Sequence, residues 1–234
     1  PWIVDYFFGE LSLPESLIGK ADLKSSFQKT EWIGYTDVYE QIHTLVRKNT
    51  PINIVITGKD GCGKHSLIEN IYGETERKLL TFSWEAYENN NDRQTFLQDA
   101  ESFVEMVGAD VCIFDYTAKQ TEELTQERMP SDFSGFVKSL NEHKHILIMT
   151  MEEKNRSVRN DIGNVVMVRM EIPTPEERIM AWRQLLQKYE SKELLPEVLG
   201  NKYRMHVGEI AAVLKNAFYI CCSHGRTQIT KEDI

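Results

Sequence analysis

What this chain lacks narrows its function before any motif is read. No apolar run is long enough to span a membrane, and no signal peptide opens the chain. Cysteine is scarce. Cys62, Cys112, Cys221 and Cys222 stand at no metal-ligand spacing, which argues against a zinc site and against a disulfide framework. They read as reduced thiols, the expectation for a cytoplasmic protein. Positive charge is in deficit: 27 Lys and Arg against 36 Asp and Glu leave a formal net charge of -9. That balance argues against a general nucleic-acid binder, a local basic patch aside. There is no internal repeat and no low-complexity tract, so solenoids and disordered linkers are set aside as well.

What is present is ordinary for a globular protein. Hydrophobic residues make up 41% and charged residues 27% of 234 positions, enough for a full core in one or two domains. A chain beginning at Pro1 rather than methionine reads as a portion of something longer.

One stretch stands apart. Gly58-Lys59-Asp60-Gly61-Cys62-Gly63-Lys64-His65 matches the phosphate-binding pattern G-x-x-x-x-G-K-[ST] everywhere except its last position. Ile52, Ile54, Val55 and Ile56 precede it as an apolar run suited to a buried parallel strand. Gly58, Gly61 and Gly63 permit backbone angles and close approaches that side chains would block. The amides from Asp60 through Cys62 to His65 can then face phosphate oxygens at the N-terminus of a helix expected over Lys64 to Tyr72. Lys64 would reach the outer phosphates. The last position normally offers a hydroxyl to magnesium, a hard ion that takes oxygen, whereas His65 offers nitrogen. Ser66 has a hydroxyl, but a helix step of about 100° is expected to turn it away.

Strands and helices alternate from there. Further strands are expected at Lys78 to Trp84, Val111 to Asp115, Ile146 to Met149 and Val165 to Met170. Helices fall between, through Phe96 to Val107 and Ser131 to His143. This rhythm predicts an α/β fold with a parallel sheet and helices on both faces. After Pro173 only helices follow. Thr174-Pro175-Glu176-Glu177 has the form of a capping box with proline at the first helical position, opening a helix to about Lys192. Others are expected over Leu194 to Leu199 and Gly208 to Cys222, and Ile229 to Ile234 begins a closing segment.

In this order of motifs the chain resembles the AAA+ ATPase family over nearly its whole length. Trp32-Ile33-Gly34-Tyr35-Thr36-Asp37 is similar to the family's segment bordering the adenine, which makes Ile33 and Gly34 candidate nucleotide contacts. Ile172 to Arg178 resembles the junction between sheet and lid, and Val207-Gly208-Glu209-Ile210 a turn of the lid. Leu11 to Glu15 adds a looser likeness to the AAA clade. The resemblance implies a P-loop NTPase sheet followed by a small helical lid. The implied boundaries are an N-terminal extension with the adenine-side segment at 1–50, a nucleotide-binding domain at 51–173 and a lid at 174–234. It also implies ATP or ADP with Mg2+ as cofactors, and other AAA+ subunits or domains in a ring as partners. A protein substrate belongs to that picture; nucleic acid and membranes do not.

The catalytic positions depart from the family. Its second motif ends in Asp-Glu; here the pair is Asp115-Tyr116, which leaves Asp115 to support a metal. A phenol of pKa about 10 is a weak base at neutral pH. Losing a positioned base typically costs about 10²–10⁴ in rate. Thr150 is the nearest match to the water-orienting polar residue after the next strand. The arginine that reaches a neighbouring subunit is replaced near Asn164, with Arg156 and Arg159 upstream. Such an arginine is worth about 10³–10⁵ in rate. These departures predict a module that holds nucleotide and hydrolyses it weakly or not at all. Two alternatives stand beside it: a pseudo-ATPase acting as a structural or regulatory interaction domain, and an initiator-type DNA-linked switch.

Smaller features have plainer readings. His143 and His145 flank Lys144 at a solvated strand entry, without a third metal ligand in reach. Glu122, Glu123 and Glu127 read as an exposed helix face. Cys221 is expected inward and Cys222 sideways on the last helix. Trp182 reads as lid core. Tyr87 lies where unfoldases of the family carry a pore-lining aromatic, though without the neighbouring glycine.

Overall fold

The computed structural model describes residues 2–7, 11–27, 32–117, 129–152, 162–191 and 194–234. Arg156, Arg159 and the acidic positions Glu122, Glu123 and Glu127 lie outside them. Six strands form one sheet: β1 (Ala21–Lys24), β2 (Asn53–Gly58), β3 (Lys78–Ser83), β4 (Ala109–Tyr116), β5 (Leu147–Met151) and β6 (Val165–Met170). Their spatial order is β1-β3-β4-β5-β2-β6. The five strands expected from apolar runs are mutually parallel. The sheet is nevertheless not wholly parallel, because β1 adds an antiparallel edge on β3. Four residues alternating between apolar and charged give no buried-strand signal in the sequence. Such a strand suits an edge, where one side is open to water.

Both faces are covered. Alternate residues of the strands turn to opposite sides. On one side Ile54, Ile56, Leu79, Cys112 and Ile148 pack with α2 (Thr36–Arg47) and α3 (Lys64–Thr75). On the other, Val55, Leu80, Val111, Ile113 and Met149 meet α4 (Trp84–Glu88), α5 (Arg93–Val107) and α6 (Ser131–Glu142). A first helix, α1 (Trp2–Phe7), lies against that second side through Trp2 and Tyr6. The short α4 replaces the expected end of β3, since the Ser83 hydroxyl accepts from the Ala86 amide at 3.1 Å and starts a helix there.

Among the described residues three α-helices follow the sheet: α7 (Pro175–Leu186), α8 (Pro196–Lys202) and α9 (Val207–Ser223). The capping box of α7 forms as its residues suggest, Glu177 N donating to Thr174 Oγ1 at 3.3 Å and Thr174 N to Glu177 Oε2 at 2.9 Å. This helix stops at Leu186, short of the expected Lys192. Gln187, Lys188 and Tyr189 tighten into three-residue turns, and Ser191 then bridges to Ile229. The helices enclose their own apolar cluster around Trp182, Ile210 and Leu214, each fully buried. Arg178 fixes them to the sheet's end, donating to the carbonyls of Pro173 at 2.6 Å and Gly200 at 2.8 Å.

One charged knot sits inside. Asp110, with no exposure, accepts two bonds from Arg77 at 2.7 and 2.8 Å, one from the Tyr72 hydroxyl at 3.0 Å and one from the Ile146 amide at 3.0 Å. It joins α3, β4 and the entry to β5. Among the described residues no helix is long and apolar enough to cross a membrane.

Candidate functional site

A cleft of about 610 Å³ opens at the carboxyl ends of β2, β4 and β5. In open parallel sheets this end is where loops, rather than strand hydrogen bonds, line the surface and leave groups free to meet a ligand. Its walls are the loop after β2, the first turn of α3, the end of β4, Glu152 after β5, and Gly208 at the start of α9.

The loop owes its shape to glycine. Gly61 (φ 76°) and Gly63 (φ 105°) hold left-handed conformations that a side chain would strain. Between them the Cys62 amide donates to the Lys59 carbonyl at 3.2 Å. The Cys62 side chain is fully buried beneath the loop, its sulfur 3.9 Å from that of Met170, and burial pushes its thiol pKa up. Gly58 lies below it in β2: a Cβ there would stand 2.8 Å from the Cys62 sulfur. Gly58 and Cys62 therefore shape the loop from underneath, and the side chains facing the cleft come from Asp60, Lys64, His65 and Ser66.

Lys64 is only 6% exposed. Its ammonium donates to the carbonyls of Gly58 at 2.8 Å and Lys59 at 3.2 Å, with the Asp60 carboxylate 3.8 Å away. A buried ammonium bonded to neutral carbonyls would gain from a charged acceptor, whose hydrogen bonds are roughly twice as strong. His65 leans on Phe114, ring centroids 3.9 Å apart, with Nε2 3.9 Å from Asp115 Oδ1. Burial lowers its pKa, against the opposing pull of Asp115. Ser66, expected to turn away, lines the cleft with them. In the first turn of a helix side chains lean back toward the N-terminus, so neighbouring positions can ring the same opening.

The end of β4 is irregular. Ile113 pairs with Met149 but Tyr116 with Met151, so β4 carries one residue more than its partner. Asp115 takes up the extra residue at φ 57°, and its amide donates to Thr150 Oγ1 at 3.0 Å. Its carboxylate is thereby left open at the cleft's edge. Thr150 does not face the cleft, contrary to its expected role of orienting water: it is fully buried, and its hydroxyl holds the bulge. Tyr116 reaches the cleft's edge, yet it is 2% exposed with its ring 4.4 Å from that of Trp84 in the aromatic cluster under α4.

Other expected positions lie elsewhere. Ile33 packs into the helical cluster, and Gly34 (φ 74°) faces Val207, whose Cγ2 would be 3.0 Å from an added Cβ. Neither lines the cleft. Tyr87 is fully buried, its hydroxyl 2.9 Å from Asp132, which removes the pore-lining possibility. Asn164 sits at the amino end of the sheet, its carbonyl accepting from the Asn53 amide, opposite the cleft. His143 meets Glu105 at 3.9 Å and the Ser139 hydroxyl at 3.4 Å, and the described residues hold no cluster of three or more His, Cys, Asp or Glu that could bind a metal ion. Cys221 is buried and Cys222 exposed, as their helical offset suggests.

Two cleft residues carry no sequence signal. Thr117 and Glu152 line it, yet each is a single polar residue after an apolar strand, a pattern found at most strand ends. Gly208 reaches it from the far side of the chain, and beside it Lys59 Nζ bonds Glu209 Oε1 at 2.6 Å. Comparison of the chain with models of known families and with curated proteins gives no match.

Proposed function

We propose that the chain is a nucleotide-binding module of the AAA+ arrangement, holding ATP or ADP by its phosphates in an oligomeric protein-remodelling assembly, with hydrolysis weak or lost. The observation that carries this reading is Lys64: a nearly buried ammonium at the foot of a glycine loop, beside a helix N-terminus that opens on the cleft. The loop amides and the α3 terminus would cradle phosphate oxygens, and Lys64 would leave its carbonyl partners to neutralise their charge. The oxygen donors in the cleft fit magnesium. Asp115, Ser66 and Glu152 offer oxygen and would be the residues to hold the ion, which would supply positive charge against the phosphates.

A second reading, the pseudo-ATPase, is favoured by two placements. The Tyr116 ring is packed against Trp84, and the buried Thr150 hydroxyl accepts from the Asp115 amide, so neither stands where the family's carboxylate base and water-orienting group would. Calorimetric titration of ATP and ADP, with and without magnesium, tests the common part. We expect binding that Lys64→Ala abolishes; unchanged affinity in that variant would sink the reading. Phosphate release from the same sample separates the two, since turnover excludes the pseudo-ATPase.

A further inference from the structure

Residues 32–35 stand beside the cleft without lining it. Trp32 stacks on Tyr39 with centroids 5.8 Å apart and planes 19° from parallel, and its ring edge comes within 4.0 Å of where a Cβ on Gly63 would lie. Ile33 is packed into the helical cluster, and Gly34 lies against Val207. The Tyr35 hydroxyl is 2.6 Å from His206 Nδ1, with the tyrosine 6% and the histidine 4% exposed. Each of these four residues spends its packing surface on α2, on the loop or on α9. None lines the cleft.

A base needs a flat apolar slot and edge partners to be told from other bases. Here the segment that would provide the slot is closed onto the start of α9. To enter, a base would have to part Tyr35 from His206 and Gly34 from Val207. The gain on offer is one donor, the Trp32 indole N–H, which is buried without an acceptor among the described residues.

We infer that the cleft recognises the polyphosphate chain alone: its ligand class is a linear di- or triphosphate, nucleoside or inorganic, with any base left outside the protein. This rests on the reading of the cleft as a phosphate site. Affinity then comes from the loop amides, Lys64 and the α3 N-terminus, all of which meet phosphate oxygens and none of which meets a base.

Calorimetry on the full chain, at one magnesium concentration, with ATP, GTP, CTP and sodium tripolyphosphate tests this. The four dissociation constants are expected within about tenfold of one another, since a stacked base contributes about tenfold or more. A wider spread, or ATP more than about tenfold tighter than tripolyphosphate, overturns the inference and leaves the phosphate site standing. Loss of all four isotherms in Lys64→Ala supports it. Tripolyphosphate binding that survives in that variant overturns it, because the anion then sits elsewhere. Silence from all four ligands on the unaltered chain removes the phosphate site, and the inference with it.

Discussion

The Cα of Gly208 rests on the carbonyl of Gly61: a Cβ built on Gly208 would stand 2.0 Å from that oxygen, 3.1 Å from its carbon and 3.5 Å from the Gly63 amide. The obstacle is backbone, so it cannot turn aside as a side chain would. Gly208→Ala must therefore lift the start of α9 away from the loop. We expect a loss of about 1–3 kcal/mol in stability, the range for overpacking a close contact. ATP binding should weaken with it. Thermal denaturation and a nucleotide titration of the variant read the two effects; an unaltered melt would mean that α9 rides freely over the loop.

A carboxylate placed at Tyr116 is not expected to supply a catalytic base. The ring packs among Trp84, Tyr87 and Phe133 beneath α4, and Tyr116→Glu exchanges it for a shorter acid in apolar surroundings. A cost of about 3 kcal/mol or more is expected from the lost packing and the desolvated acid. Urea denaturation gives the first number and phosphate release the second. A variant of full stability and raised turnover would show that the position tolerates a base.

Thr150 works through the backbone of Asp115. In Thr150→Val the shape survives and the acceptor is lost, leaving the Asp115 amide to find water or go unpaired. The expected cost is about 1 kcal/mol, while Thr150→Ser, which keeps the hydroxyl, should lose less of that bond. Equal denaturation midpoints for the two variants would remove the hydroxyl from the account.

Asp110 is buried at the start of β4, at the other end of the strand from the cleft. Asp110→Ala strips the acceptor from Arg77, Tyr72 and the Ile146 amide at once, and about 3–5 kcal/mol of stability should go with it. Arg77→Lys keeps the charge but not the two-pronged geometry, so its midpoint should fall between the parent and Asp110→Ala. An Arg77→Lys variant as unstable as Asp110→Ala would contradict this ordering.

The sequence was readable where burial is two-sided. Runs such as Ile54 to Ile56 or Leu147 to Met149 are apolar because helices cover both faces, and each such run became a strand. The edge strand β1 and the helix α2 escaped for opposite reasons. Four residues with two charges carry too little pattern. In α2 the pattern is there, since Ile42, Leu45 and Val46 stand at helical spacing, but the likeness to an adenine border covers only Trp32 to Asp37 and ends in the helix's first turn. Within the site, the glycine loop and Lys64 were legible from spacing, and Asp115 only through the resemblance to the family's second motif. The bulge that commits Thr150 to a backbone amide was not, because one residue too many in β4 leaves no mark in composition. Nor did anything in the order of residues bring Gly208 to Gly61, which lie 147 positions apart by their numbering.

Ile33 packs in the cluster of α7 to α9 while Tyr35, two residues on, belongs to the cluster under α2 and α3, and Val207 touches both. The chain thus ties these two apolar clusters together at two crossings, one at Ile33 before β2 and one after β6. A cut at the Pro173-Thr174 joint would sever only one of these crossings. The two pieces would stay associated after cleavage, held by a seam that neither piece contains whole.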